Sequence, residues 1–178
     1  MDQSTFLDWA GFVLNALVLV VIVGSAIIAW KTLQDANKRA RCSASFDHIA
    51  RQTRDRELIE MFEEFRVVRR KVTDGKQNPV SIDDIEGLII DHHRRALSAE
   101  DIIKKVFNYY EATAIGIREG ALEEQIIKGW WRTSFVLDWA DFSEYVRQRR
   151  KRYGIPKLFS EYEALVQKWA EGSEREKI

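Results

Sequence analysis

The sequence contains little cysteine, proline or glycine. Cys42 is the only cysteine, so an intramolecular disulfide and a cysteine-based zinc site are both excluded. Two prolines and nine glycines occur in 178 residues, and the abundance of Leu, Ile, Ala, Glu, Lys and Arg favours helices over sheets. The 28 Lys and Arg residues balance the 28 Asp and Glu residues, so net charge does not indicate a nucleic-acid-binding protein.

Charge is also absent from one long segment, between Trp9 and Trp30. About 20 apolar residues in a helix cross a bilayer, and tryptophans are common at the two interfaces. We predict a transmembrane helix over 9–30, preceded by a short extracytoplasmic tail, 1–8. A buried core helix is the alternative, although a soluble helix of this length normally has a polar face. A cleaved signal peptide is disfavoured because no basic residue precedes the run.

The flanks of this segment indicate its orientation. No Lys or Arg precedes it, whereas Lys31, Lys38, Arg39 and Arg41 follow it. Positive residues flanking a span are enriched on the cytoplasmic side, so we expect the N-terminus outside and the remaining chain in the cytoplasm. The lone thiol agrees with a reducing compartment.

Three residues of the span favour self-association. Lipid does not satisfy the hydrogen bonds of the Asn15 amide, which would prefer a partner on a neighbouring helix. Ser25 and Ala29 form a pair of small residues that lets two helices approach closely. We therefore expect a homo-oligomer in the lipid bilayer.

The rest of the chain reads as helices. A juxtamembrane helical linker, 31–54, is expected, with a break near Cys42–Asp47 where Ser and Asp can cap a new helix. Apolar residues at helical spacing then mark one helix face ending by Gly75, before a turn at "GKQNPV". Ser81 with Asp84 and Ser98 with Asp101 resemble capping boxes, and each predicts a helix, the first with Ile82, Ile85, Leu88 and Ile89 on its face.

The C-terminal third predicts one short and one long helix with a buried stripe, broken at Tyr153, Gly154 and Pro156, and then a last helix that ends near Trp169. No strand alternation of useful length is visible. We predict an all-α fold: one N-terminal transmembrane helix, a cytoplasmic bundle of about five or six helices over 55–172, and a tail at 173–178.

Two stretches carry a resemblance to a known family. "FNYYEATAIGIREGALEEQIIKGWWRTSFVLDW" (107–139) and "RYGIPKLFSEYEALVQKW" (152–169) resemble a bacterial family of single-span membrane proteins of unknown function. The resemblance implies an N-terminal anchor in the bacterial inner membrane and a helical cytoplasmic domain. It implies no activity.

The overall organisation is also similar to the small membrane accessory protein of type VI-B CRISPR systems. That likeness implies a HEPN-like motif, an RNA-guided defence partner, and an oligomeric pore in the inner membrane during antiphage defence. The HEPN signature pairs an arginine that holds a phosphate with a histidine that moves a proton. Arg41 and His48 fit its spacing, although Cys42 departs from the usual polar residue.

Other residues offer weaker candidates for chemistry. Asp91-His92-His93 is similar to metal-phosphoesterase signatures, but neighbouring helical residues chelate one metal poorly, so we expect solvated histidines on a helix edge. We expect no metal and no cofactor. Glu111, on an apolar helix, is predicted to form a structural ion pair with Arg118 or Arg132.

Five cations lie within six residues at the end of the long helix: Arg147, Arg149, Arg150, Lys151 and Arg152. They are candidates to contact lipid headgroups, RNA or an acidic partner. The alternative is a solvated helix end that favours positive charge.

Three functions remain open. The preferred one is an oligomeric membrane effector that forms or gates a pore, the second a membrane-tethered adaptor that docks a cytoplasmic partner, and the third a HEPN-type RNase. No residue set predicts catalysis convincingly, so we expect a protein that is not an enzyme.

Overall fold

The computed structural model describes residues 3–75, 79–92 and 95–172. The predicted C-terminal tail and the first two residues of the predicted N-terminal tail lie outside them. The all-α class is confirmed, with one small hairpin added. The elements are α1 (Gln3–Arg54), α2 (Arg56–Thr73), β1 (Ile89–His92), β2 (Arg95–Ser98), α3 (Ala99–Arg118), α4 (Glu124–Tyr153) and α5 (Ser160–Trp169).

Two units divide the chain, with their boundary after Ala40. The first unit consists of the N-terminal part of α1. By length and composition, this helix is able to cross a membrane, and none of its most apolar window is buried. A candidate span near the N-terminus is therefore present, as predicted.

The predicted break at Cys42–Asp47 is wrong. The Ser45 hydroxyl donates to the carbonyl of Arg41 at 2.9 Å within the helix, so it does not cap a new helix there. Asp55 marks the end of α1, because its carboxylate accepts the amide of Glu57 at 3.0 Å and caps α2. Asp is among the best residues for this role.

The helix predicted after Ser81 is wrong, and so is the expectation that the chain lacks strands. Asp84 does accept hydrogen bonds from the Ser81 amide and hydroxyl, both at 2.9 Å, but turns follow. Gly87, with φ of 75°, ends the turns. In β1, Ile89 is exposed and Ile90 is buried. β1 pairs antiparallel with β2 from Ile89↔Ser98 to His92↔Arg95. Lys76–Asn78 of the predicted turn lie outside the described residues.

The remaining helices follow their sequence signals more closely. Ser98 caps α3, its hydroxyl accepting the amide of Asp101 at 3.4 Å. The region predicted as one short and one long helix is the single 30-residue α4, because its buried stripe continues across Gly129. Gly154, at φ of 65°, ends α4 as expected, since glycine readily adopts this left-handed conformation.

The second unit is built around α3, which packs against α2 and α5, while α4 packs against α5. Within the described residues, four helices follow α1 instead of the predicted five or six. One predicted helix is replaced by turns and a hairpin, and two others form the single helix α4. Aromatic residues make up most of the largest fully buried side chains. Phe107 contacts Phe142, Phe159 and Tyr162 edge-on at centroid distances of 5.3–5.8 Å, a favoured arrangement for aromatic pairs.

Candidate functional site

A cavity of about 320 Å³ opens between the end of α1, α2, α3 and α4. Its aromatic lining residues are Phe62, Phe65, Tyr110, Trp130 and Trp131, and its polar lining residues are Gln52, Arg66, Arg69, Ser134 and Asp138. On α2 and α4 these residues recur three, four or seven positions apart, so each helix presents them from one face. This volume is within the range of small-molecule sites.

The floor of the cavity contains a buried carboxylate. Asp138 is 4% exposed. The Tyr110 hydroxyl donates to its Oδ2 at 2.8 Å, and Arg69 Nη1 lies 3.0 Å from its Oδ1. Arg69 also contacts Asp141 Oδ2 at 2.7 Å, so one guanidinium joins two carboxylates of α4.

Burial governs the protonation of this group. It raises the pKa of Asp138 to about 6, although Arg69 and the Tyr110 hydrogen bond act in the opposite direction. The pKa of Tyr110 is raised well above its usual value, chiefly by burial and then by Asp138. The site therefore contains a carboxyl group with a raised pKa of about 6 beside a phenol whose pKa is also raised, and perturbed pKa values are common in functional sites.

Two tryptophans that line the cavity differ in exposure and in hydrogen bonding. Trp130 is 57% exposed, and its Nε1 donates to Gln52 Oε1 at 3.2 Å. Trp131 is 2% exposed, and its Nε1 has no hydrogen-bond partner among the described residues. Gln52 lies in the C-terminal part of α1, within the second unit.

Arg41 and His48 contact different parts of the second unit. Arg41 Nε lies 3.6 Å from Glu123 Oε2. His48 Nε2 is 2.9 Å from the hydroxyl of Thr113. The Thr113 hydroxyl already donates to the Tyr109 carbonyl at 2.8 Å, so it must accept here, and neutral His48 carries its proton on Nε2.

The His48 ring is partly enclosed. It stacks on Tyr109 at a centroid distance of 5.0 Å. Burial lowers the pKa of His48, and Arg51 lowers it further. This arrangement supports a structural role for His48 at neutral pH, and a HEPN-type site stays a prediction.

Glu111 has a different set of contacts from the predicted ion pair. Its carboxylate accepts hydrogen bonds from the amides of Glu161 at 3.2 Å and Tyr162 at 2.7 Å, in the first turn of α5. Arg118 instead pairs with Glu119 and Glu161, and Arg132 donates to the carbonyl of Trp169 at 3.1 Å. Glu111 is therefore a helix cap supplied from another helix.

The basic run at the end of α4 is largely paired within the chain. Arg147 contacts Glu144, Arg149 contacts Glu100, Arg150 contacts Glu163 and Arg152 contacts Glu86. Lys151 is exposed. These carboxylates reduce the positive charge that the run presents to lipid, RNA or a partner.

The described residues of the predicted histidine cluster lie on β1, and the predicted span residues lie on α1. Asp91 and His92 lie on β1 instead of a helix, and His93 lies outside the described residues. No group of three or more metal-ligating side chains is found within the described ranges. In α1, Asn15, Ser25 and Ala29 are exposed. The Ser25 hydroxyl donates to the Val21 carbonyl at 2.7 Å, so it is satisfied inside its own helix.

Sequence reasoning missed the cavity and its buried charges. Asp138 lies within the apolar stripe of α4, next to Trp139, and Arg69 lies beside Val68 on α2. A buried charge needs a partner, so one charge on each apolar helix face was a usable signal. The pairing itself depends on how α2 and α4 are placed around α3.

The fold and the site define a helical domain that follows an apolar helix able to span a membrane. The chain belongs to the DUF4760 family, a domain of unknown function that matches residues 19–169. Neither the curated proteins nor the solved structures include a match to this chain.

Proposed function

We propose that this chain is a single-pass protein of the bacterial inner membrane and acts as a self-associating membrane effector. Its N-terminus lies outside, its span is the apolar part of α1, and its helical domain is cytoplasmic. The partners of the span are lipid and other copies of the chain.

The observation that supports this proposal most directly is the exposure of Asn15 on α1. Ser25 is satisfied within its helix, whereas the amide of Asn15 projects from an apolar surface. In a bilayer, such an amide gains a hydrogen-bond partner when a second helix packs against it. Self-association of the spans would give the Asn15 amide such a partner.

Cys42 allows a direct test of the orientation. A membrane-impermeant maleimide added to intact spheroplasts should leave Cys42 unlabelled until the membrane is permeabilised. A Ser4→Cys, Cys42→Ser variant should react from outside. The reverse labelling pattern would overturn the proposed topology.

A more specific proposal is that the oligomer forms or gates a pore. The looser resemblance to the CRISPR accessory protein motivates an oligomer that forms or gates a pore in antiphage defence, under the control of an RNA-guided partner. The span has no charged residue to line a wet lumen, so gating would rely on a hydrophobic constriction. Dye-loaded liposomes that contain the protein should leak when the pore opens. Intact dye retention and an unchanged membrane potential during an immune response would reject the pore.

A membrane-tethered adaptor is the second candidate, and the open cavity on the helical domain favours it. Replacing residues 9–30 with an unrelated membrane anchor separates the two functions. An adaptor keeps its activity after this replacement, because only its location depends on the span. An effector that works through packed spans loses its activity.

A further inference from the structure

We propose that the cavity between α2 and α4 binds a small planar aromatic molecule that carries an anionic oxygen group, such as an aromatic carboxylate. This inference stands on the cavity alone and does not depend on self-association of the spans.

The walls favour a flat apolar ring. Phe62 and Trp131 meet edge-on at 5.5 Å on one side, and Trp130 stands at the opening with 57% of its surface exposed. An exposed tryptophan at the mouth of a concave site offers a large stacking surface that a second ring can cover. Apolar and aromatic linings with a few polar groups are typical of ligand pockets.

The hydrogen-bonding groups of the cavity favour an acceptor on the ligand. Both oxygens of Asp138 are engaged, by Tyr110 and by Arg69, and the Gln52 carbonyl oxygen accepts from Trp130. In contrast, the Trp131 Nε1–H lacks an acceptor within the described part of the chain. A buried donor needs a partner, but this one is itself enclosed, so a ligand oxygen would reach it only after the cavity wall moves.

The charges favour an anion. Arg69 is held between Asp138 and Asp141, so the cation that remains for a ligand is Arg66. The Arg66 side chain is 69% exposed, and its nearest carboxylate contact, with Glu63, is a loose 3.9 Å. A carboxylate on the ligand would replace that contact by a charge-assisted hydrogen bond.

The test uses the full chain in detergent, labelled with ¹⁵N at tryptophan, and 2-naphthoate as the probe. The indole signals report separately on each site, with Trp131 and Trp130 in the cavity and Trp139 and Trp169 buried outside its wall. We expect 2-naphthoate to shift the Trp131 and Trp130 signals saturably and to leave those of Trp139 and Trp169 unchanged. The neutral 2-naphthamide should bind several-fold more weakly.

Variants at exposed positions keep the test independent of folding. Arg66→Gln should weaken 2-naphthoate binding about fivefold, near the upper limit for an exposed ion pair, and Trp130→Ala should weaken it at least as much. Arg70→Gln removes an exposed cation of α2 that does not line the cavity, and it should leave binding within about twofold. The proposal is overturned if Trp131 shows no saturable shift, if Trp139 and Trp169 shift equally, or if Arg66→Gln and Arg70→Gln behave alike. Equal binding of the amide would overturn the preference for an anion.

Discussion

The carboxylate of Glu111 accepts a hydrogen bond of 2.7 Å from the backbone amide of Tyr162. A side chain of α3 thus caps α5, whose own N-cap residue, Phe159, has no side-chain cap and adopts a φ of 55°. We predict that Glu111→Ala lowers the free energy of unfolding by about 1 kcal/mol, the usual loss for a helix cap. The thermal midpoint of the detergent-purified chain should fall by about 2–4 °C.

Glu111→Gln retains an acceptor oxygen and should lose less than Glu111→Ala. Glu119→Gln, at an exposed carboxylate of the same region, is the matched control and should stay close to wild type. A Glu111→Gln protein of unchanged stability that has lost its cellular activity would contradict the capping role and indicate a functional carboxylate.

The protonation of Asp138 should depend on Arg69. We predict that Arg69→Met raises the pKa of Asp138 above its value of about 6, because the guanidinium opposes the effect of burial. Carboxyl ¹³C NMR across a pH titration measures this, with Asp138→Asn identifying the signal. An unchanged pKa in Arg69→Met would show that the ion pair does not control this carboxyl.

The sign of the stability effect of Asp138 follows from the same shift. Its carboxyl binds a proton more tightly in the folded chain, with a pKa of about 6 against 3.8 for the free group. The stability that the protonated Asp138 carboxyl contributes is therefore full below about pH 3.8 and is lost as the pH rises through 6.

His48 should make stability depend on pH in the opposite direction. Its pKa is lowered from 6.5 in the folded chain by burial and by Arg51, so the unfolded chain binds the proton more tightly. The stability that neutral His48 contributes is present above pH 6.5 and is lost as the pH falls through the lower pKa of the folded chain. We predict that His48→Gln, which retains a donor for Thr113, removes this part of the acid sensitivity in thermal melts between pH 5 and 8. Identical pH profiles would contradict the assignment.

Two neighbouring cations of the basic run should behave differently. Arg150 donates to the carbonyl of Leu158 at 2.7 and 2.9 Å and to Glu163 at 2.7 Å, so Arg150→Gln should lower the free energy of unfolding by about 1–3 kcal/mol. Lys151→Gln, at an exposed position, should change it by less than about 0.5 kcal/mol. If the basic run binds lipid, Lys151→Gln should also reduce binding of the chain to anionic vesicles, while its free energy of unfolding stays the same.

The sequence contains enough information to predict the helices but not all of their limits. The cap at Ser98 and the stop at Gly154 are local signals, and both are confirmed. The Ser81–Asp84 contact also forms, but Gly87 and the β-branched Ile89 and Ile90 convert the next residues into a hairpin. A capping contact is therefore compatible with a turn as well as a helix.

The candidate site was harder to predict because it is formed by residues distant in sequence. Arg69 and Asp138 are 69 positions apart, and each looks like an irregularity in an apolar stripe when its helix is read alone. Glu111 was predicted to pair with Arg118 or Arg132, and its carboxylate instead accepts hydrogen bonds from main-chain amides. The partners are backbone amides of α5, which no side-chain pattern reveals.

The measurement that tests the central claim most directly is the mass of the detergent-purified chain, corrected for bound detergent, beside an Asn15→Leu variant. Self-association through the spans predicts a discrete oligomer for the wild type and a smaller or heterogeneous species for the variant. A wild-type monomer would contradict the effector and leave the span as a tether for an adaptor.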